Sequence, residues 1–257
     1  MLSAVPYLDR NGTRIFYDTA GDGPAVLLSH GYSATSAMWH GQREALSKDH
    51  KLIVWDMRGH GRSDSPGDPA AYSEELTVQD MAAILDACGA ETAAIGGLSL
   101  GGYMSLAFHL ASSDRTKALL LFDTGPGYKS DEARRGWNDM ANKTADQLDK
   151  KGFAALGQGA EVRAAAHRSA EGLARAARGL LAQRDASVIE SLPKVEVPTL
   201  VLAGAEDKPF LAATDYMATR IPNATKVLIP AAGHAANIDQ PEAFNDAVTG
   251  FLTQIGW

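Results

Sequence analysis

An α/β architecture on a mostly parallel sheet is predicted by three observations. Short apolar runs recur along the chain, at Ala25–Ser29, Lys51–Trp55, 118–122 and 197–203. Helical patterns alternate with several of them, the rhythm of a parallel sheet connected by crossover helices. The runs are continuously apolar rather than alternating, as strands are when helices cover both faces.

The elements follow in order. Residues 13–18 read as an early strand, and Gly21, Asp22, Gly23 and Pro24 form a turn into Ala25–Ser29. Lys51–Trp55 is the next strand, followed by a loop rich in charge and glycine and by a helix over 81–88. Residues 92–95 form a buried strand, Leu100–Ala111 a helix of small and apolar residues without proline, and 118–122 another strand. Strands at 197–203 and 226–229 and a helix starting near Pro241 complete the set.

Between 125 and 193 the rhythm stops. Ala, Arg, Gln and Gly occur there in helical mixtures with no strand pattern, and the stretch far exceeds an ordinary connection. The expectation is a core of residues 1–124 and 194–257 with a helical cap inserted at 125–193.

Charge narrows the function. Thirty-one acidic residues against 24 Lys and Arg give a net charge of −7, and the basic residues are scattered, so no nucleic-acid partner is expected. Cys88 is the only cysteine, which excludes an intrachain disulfide and suits a reducing compartment. The first 18 residues lack the basic and apolar regions of a leader, so the expected location is cytoplasmic. Residues 93–111 carry no formal charge, long enough to imitate a membrane helix. Their glycines and Ser99 mark a strand, a turn and a helix instead, so no membrane partner is expected.

The chemistry centres on Gly97, Leu98, Ser99, Leu100 and Gly101, placed between the 92–95 strand and the following helix. A serine on such a sharp strand-to-helix turn is presented as a nucleophile, and only small neighbours fit around it. A serine hydroxyl needs a base to accept its proton and a third group to orient that base. Of seven histidines, His234 follows the last strand in a strand-end loop. His30 and His60 are read as turn residues, and His40, His50, His109 and His167 as helix or surface positions. The acid belongs at the end of the 197–203 strand, where Glu206 and Asp207 both stand; Asp123, after the 118–122 strand, is a further candidate. Leu100, first residue of the helix, offers one amide to a developing oxyanion, and the loop His30, Gly31, Tyr32 is placed to offer the second.

His30-Gly31-Tyr32, the loop from Asp56 to Asp64, the turn around Ser99, Gly204-Ala205-Glu206-Asp207 and Gly233-His234 span nearly the whole chain. In that order they resemble the α/β-hydrolase fold superfamily, in the style of small carboxylesterases, 3-oxoadipate enol-lactonases and cofactor-free haloperoxidases. Haloalkane dehalogenases and epoxide hydrolases share the layout but use aspartate where this chain has Ser99. The resemblance implies Asp207 as the acid, Tyr32 and Leu100 as the oxyanion-hole amides, and a structural role for the Asp56 to Asp64 loop.

The expected function is hydrolysis of a small-molecule ester or lactone through an acyl-enzyme on Ser99, with no metal or organic cofactor. The alternatives are a carbon–carbon bond hydrolase with the same triad and a small-ligand binding protein with little turnover. Tyr32, Trp137, Met140 and Phe153 are candidate substrate contacts, and Arg134, Arg135, Arg163 and Arg168 are candidates for a substrate carboxylate. Nothing in the sequence sets an oligomeric state.

Overall fold

Eight strands form one sheet in the computed structural model, which describes residues 6–257. Residues 1–5, part of the stretch read for a leader, lie outside the described residues. The strands are β1 (Tyr7–Arg10), β2 (Thr13–Ala20), β3 (Ala25–Ser29), β4 (Lys51–Trp55), β5 (Ala93–Leu98), β6 (Thr116–Phe122), β7 (Thr199–Gly204) and β8 (Ala224–Ile229), in the spatial order β1-β2-β4-β3-β5-β6-β7-β8. From β4 to β8 all pairings are parallel, while β2 and β1 join antiparallel at one edge.

The central strands are buried on both faces because successive side chains feed two separate cores. Leu27, Ile53, Ile95, Leu119 and Val201 enter one, and Val26, Leu28, Val54, Leu120 and Leu202 enter the other. The first core is closed by α2 (Glu74–Ala87) and α3 (Leu100–Ala111), through Met81, Ile84, Met104 and Phe108. The second is closed by α9 (Pro241–Gln254), whose Phe244, Val248 and Phe251 pack with Trp39 beside α1 (His40–Ser47). Burying each large apolar side chain contributes about 1.5–3 kcal/mol, so these faces fix the order of the layers.

Several elements differ from expectation. β8 is an edge strand with residues such as Leu228 exposed, so covering on both faces stops at β7. The helix expected over 81–88 starts at Glu74, capped by the Ser73 hydroxyl on the Leu76 amide, with Glu74 and Glu75 favouring its positive end. β1 lacks a strong apolar run but gains its ladder from β2.

Between β6 and β7 the described chain contains helices and no strand: α4 (Asp131–Lys151), α5 (Ala160–Arg163), α6 (Ala170–Ala176) and α7 (Ser187–Ser191). Ala145 and Leu148 of α4 pack with Leu173, Ala174 and Ala177 in a small third core that also touches Tyr32. Among the described residues no helix is long and apolar enough to cross a membrane. The uncharged stretch 93–111 is β5, a turn at Ser99, and α3.

Candidate active site

Three loops leave the same edge of the sheet, after β3, β5 and β7, and β8 delivers a fourth. Ser99, between β5 and α3, has φ +54° and ψ −115°. This conformation costs a non-glycine residue on the order of 1–3 kcal/mol and persists only where surroundings enforce it. The Ser99 amide donates to the Phe122 carbonyl at 2.9 Å, and its carbonyl accepts from the Tyr103 amide at 3.1 Å and the Thr124 hydroxyl at 2.6 Å. Close packing requires the flanking glycines: a Cβ at Gly97 would stand 2.5 Å from the Ser29 oxygen, and one at Gly101 would overlap the carbonyls of Ser29 and His30.

The β3 loop passes directly beside this turn, for a Cβ at Gly31 would lie 3.5 Å from the Ser99 Cβ. Leu100 is the first residue of α3, where first-turn amides have no intrahelical acceptor. The two amides named from the sequence, Tyr32 and Leu100, thus flank the serine in adjoining segments.

Asp207 precedes α8 (Lys208–Arg220) and is 5% exposed. Its Oδ2 accepts a hydrogen bond from His234 Nδ1 at 2.8 Å. The loop is pinned by the Glu206 amide on Ala232 O at 2.9 Å and the Asp207 amide on Gly204 O at 3.1 Å. Glu206, the rival acid, is exposed. Asp123 lies buried with φ +43°, and its Oδ1 accepts from the Gly204 amide at 2.7 Å. It props the loop that carries Asp207 and makes no hydrogen bond to His234.

Electrostatics separate these groups. Burial disfavours the His234 imidazolium, but the hydrogen bond and charge of Asp207 outweigh it and hold the pKa above the usual 6.5. Burial pushes the Asp123 carboxyl up to about 8. The His234 side chain is 31% exposed, so its proton can exchange with solvent.

Ser99 opens on a cavity of about 210 Å³, larger than the ~150 Å³ that accommodates a benzene ring. Leu100, Tyr103, Tyr128, Trp137, Leu181 and Phe210 supply its apolar walls, and among the described residues no charged side chain lines it. Phe210 joins the two halves of the site, lining the cavity with Ser99 while its ring stacks on His234 at 4.8 Å. The Trp137 indole donates to Leu181 O at 2.7 Å and the Tyr103 hydroxyl to Glu74 at 2.8 Å, so these polar tips are already occupied.

Other expected contacts lie elsewhere. Met140 and Phe153 are 38% and 45% exposed and absent from the cavity lining, because their side chains lie open to solvent rather than against the core. Tyr32 packs its ring against His60 and donates its hydroxyl to Leu173 O at 2.9 Å. None of the four arginines reaches the cavity. Arg134 is held by Tyr128 O and Asp131, Arg168 by Arg62 O, and Arg163 by Gln158 O, while Arg135 is exposed. His167 lies half-buried in a loop, outside any helix, and bonds to Ser33 and Gly61. Sequence reasoning missed Thr124, Phe210 and Gln183, of which only Thr124 carried a local signal, as a hydroxyl at the end of β6.

Comparison with known proteins agrees with this fold. The sequence profile of the Alpha/beta hydrolase family matches residues 26–247. The chain belongs to this family. Among relatives of this alpha/beta hydrolase is 3-oxoadipate enol-lactonase 1 of Acinetobacter baylyi, 28% identical over 90% of each chain. The enol-lactonase from Burkholderia xenovorans LB400 superposes with TM-score 0.77 at 29% identity, covering 96% of this chain and 100% of that one. A thermophilic esterase from Thermogutta terrifontis superposes with TM-score 0.83 at 30% identity, covering 98% and 97%. With these relatives, the alpha/beta hydrolase described here is assigned a hydrolytic function.

Proposed function

We propose that this enzyme hydrolyses a small carboxylic ester or lactone whose acyl part is uncharged, with Ser99 as nucleophile, His234 as general base and acid, and Asp207 as the orienting carboxylate. The observation that carries the reading is the 2.8 Å Asp207–His234 bond, linked through Phe210 to the cavity on which Ser99 opens. Names of relatives that include lactonase and esterase support it.

In the first step Ser99 Oγ bonds to the carbonyl carbon while its proton passes to His234 Nε2. The oxyanion accepts from the Tyr32 and Leu100 amides, preorganised donors of the kind that stabilise such charge most effectively. The carbon–oxygen bond to the leaving alcohol then breaks, and His234 returns the proton to that alkoxide. Water repeats the sequence on the acyl-enzyme, with His234 accepting its proton and giving it to Ser99. Asp207 holds the imidazole in the Nδ1–H tautomer, leaving Nε2 free to act.

The charge-free cavity holds the acyl group, and the helical segment 125–193 acts as its cap. A carboxylate placed there would lose hydration without gaining a cationic partner. Turnover of neutral p-nitrophenyl esters and lactones by Ser99→Ala tests the reading. Loss of at least 10³-fold with an unchanged melting temperature is expected, and retained turnover overturns it.

A further inference from the structure

Ser33, the residue after the Tyr32 amide, has φ +56° although it is not glycine. Both of its backbone polar groups are held by imidazoles. Its N–H points at His60 Nε2 at 3.3 Å, and its carbonyl is 3.0 Å from His167 Nε2. The remaining ring nitrogens are engaged too, His60 Nδ1 with Arg58 O at 3.1 Å and His167 Nδ1 with the Gly61 amide at 3.1 Å.

These partners fix the tautomers, because a carbonyl only accepts and an amide only donates. His60 carries its proton on Nδ1 and His167 on Nε2, and each offers a bare nitrogen to an amide. His30 repeats the pattern, with Nδ1 toward Gly31 O at 2.7 Å and Nε2 accepting from the Met57 amide at 2.9 Å. The three rings form a chain, 4.9 Å from His30 to His60 and 5.8 Å from His60 to His167.

We propose that His167, reaching out of the helical insertion, is a positioning residue for the oxyanion loop: with His60 it clamps the strained Ser33 unit and so holds the Tyr32 amide toward Ser99. This rests on the reading of Ser99 as nucleophile and of Tyr32 as an oxyanion donor. A left-handed non-glycine residue relaxes unless its surroundings hold it, and the His167 bonds to Ser33 and Gly61 tie two loops of the core to one side chain of the insertion. Phe153 lies over the His167 ring, 6.5 Å away in a stacked orientation.

The surrounding charges leave this clamp neutral. Asp56 faces the cluster but spends its oxygens on the Ser36 amide at 2.7 Å and the Arg62 amide at 2.8 Å, with the Arg62 guanidinium beside it. Arg58 is committed to Asp80, and Arg168 to Arg62 O. Burial lowers the proton affinity of all three imidazoles, against the opposing pull of Asp56 on His30 and His167. Protonation would set a new N–H against an amide N–H in each ring.

The test compares His167→Leu, which can make neither bond, with His167→Gln, whose amide offers a donor and an acceptor. His167→Leu is expected to lower kcat on a neutral p-nitrophenyl ester 30- to 100-fold with KM within threefold. Affinity for a trifluoromethyl ketone, which forms an oxyanion on the serine, should fall in parallel. His167→Gln should recover at least a third of the lost kcat in logarithmic terms. A purely packing role would leave the ketone affinity and the kcat-to-KM split unmoved, and that outcome overturns the proposal. Should His167→Leu fail to fold, ring ¹⁵N spectra of the unaltered enzyme decide: His167 must be neutral with its proton on Nε2 at pH 7, and any other state refutes the clamp. Fluorophosphonate labelling of the unaltered enzyme separates the two readings, since absence of a Ser99 adduct removes the nucleophile itself.

Discussion

Replacing Asp207 by Asn separates the two buried acids of the site. Asp207 Oδ2 lies 2.8 Å from His234 Nδ1, so the substitution keeps size and shape but removes the charge opposite the imidazole. If the new amide nitrogen faces Nδ1, the ring must take the opposite tautomer and Nε2 can no longer accept the Ser99 proton. If the amide oxygen faces it, orientation survives but the imidazolium formed during acyl transfer loses its counter-charge. Either way the expected loss in kcat is about 10³- to 10⁴-fold, or ~4–5.5 kcal/mol of transition-state stabilisation. Asp123→Asn is the control. Its Oδ1 bond to the Gly204 amide is kept by the Asn carbonyl oxygen, and a carboxyl with a pKa of about 8 is already largely protonated at pH 7. Its kcat should stay within about threefold of the parent. Initial rates on p-nitrophenyl butyrate at pH 7.5, with melting curves for each variant, supply the comparison. If Asp207→Asn stays within tenfold of the parent while Asp123→Asn loses 10³-fold, the assignment of the orienting carboxylate is refuted.

Four further outcomes are expected. The acid limb of kcat/KM should show an apparent pKa above 6.5, because His234 must be neutral to act and Asp207 raises its proton affinity; a limb below 6 contradicts this. The Asp123 pKa is raised on folding, so its stabilising contribution is complete below about 4 and lost as pH rises through about 8. Asp123→Asn should therefore match the parent melting temperature near pH 4 and exceed it by a margin that grows up to about pH 8, at roughly 2–4 °C per kcal/mol. Gly101→Ala should destabilise the fold by about 1–3 kcal/mol or more in denaturant titrations, since the added carbon meets backbone carbonyls that cannot move aside. Trp137→Ala should shift the preferred acyl chain toward greater length by widening the cavity, and an unchanged chain-length profile would place the acyl group elsewhere.

Much of the scaffold was legible because its signals are local. The continuous apolar runs at Ala25–Ser29 and Lys51–Trp55 announce strands buried on both faces, and the glycines around Ser99 announce a turn that tolerates no bulk. His234 could be named from its strand-end loop and Asp207 from the resemblance that separates it from Glu206, and the structure hydrogen-bonds the two. Residues whose role depends on how the insertion seats on the core were not legible. Met140 and Phe153 carry the same apolar character as Trp137, and only tertiary placement puts Trp137 on the cavity wall. His167 meets partners 134 and 106 positions away, at Ser33 and Gly61, and nothing in its neighbours reveals that. The strand at 226–229 is present, but its covering on both faces is not, because as the edge strand β8 it buries Ile229 and leaves Leu228 open to solvent.

The proposed mechanism requires a single hydroxyl, at position 99, to carry the acyl group during turnover. Trapping the enzyme in acid during turnover of a p-nitrophenyl ester, followed by peptide mass spectrometry, reads this directly. One acyl mass addition is expected, on the peptide containing Ser99 and absent from Ser99→Ala. An acyl group found on another residue, or undiminished turnover in Ser99→Ala, would contradict it.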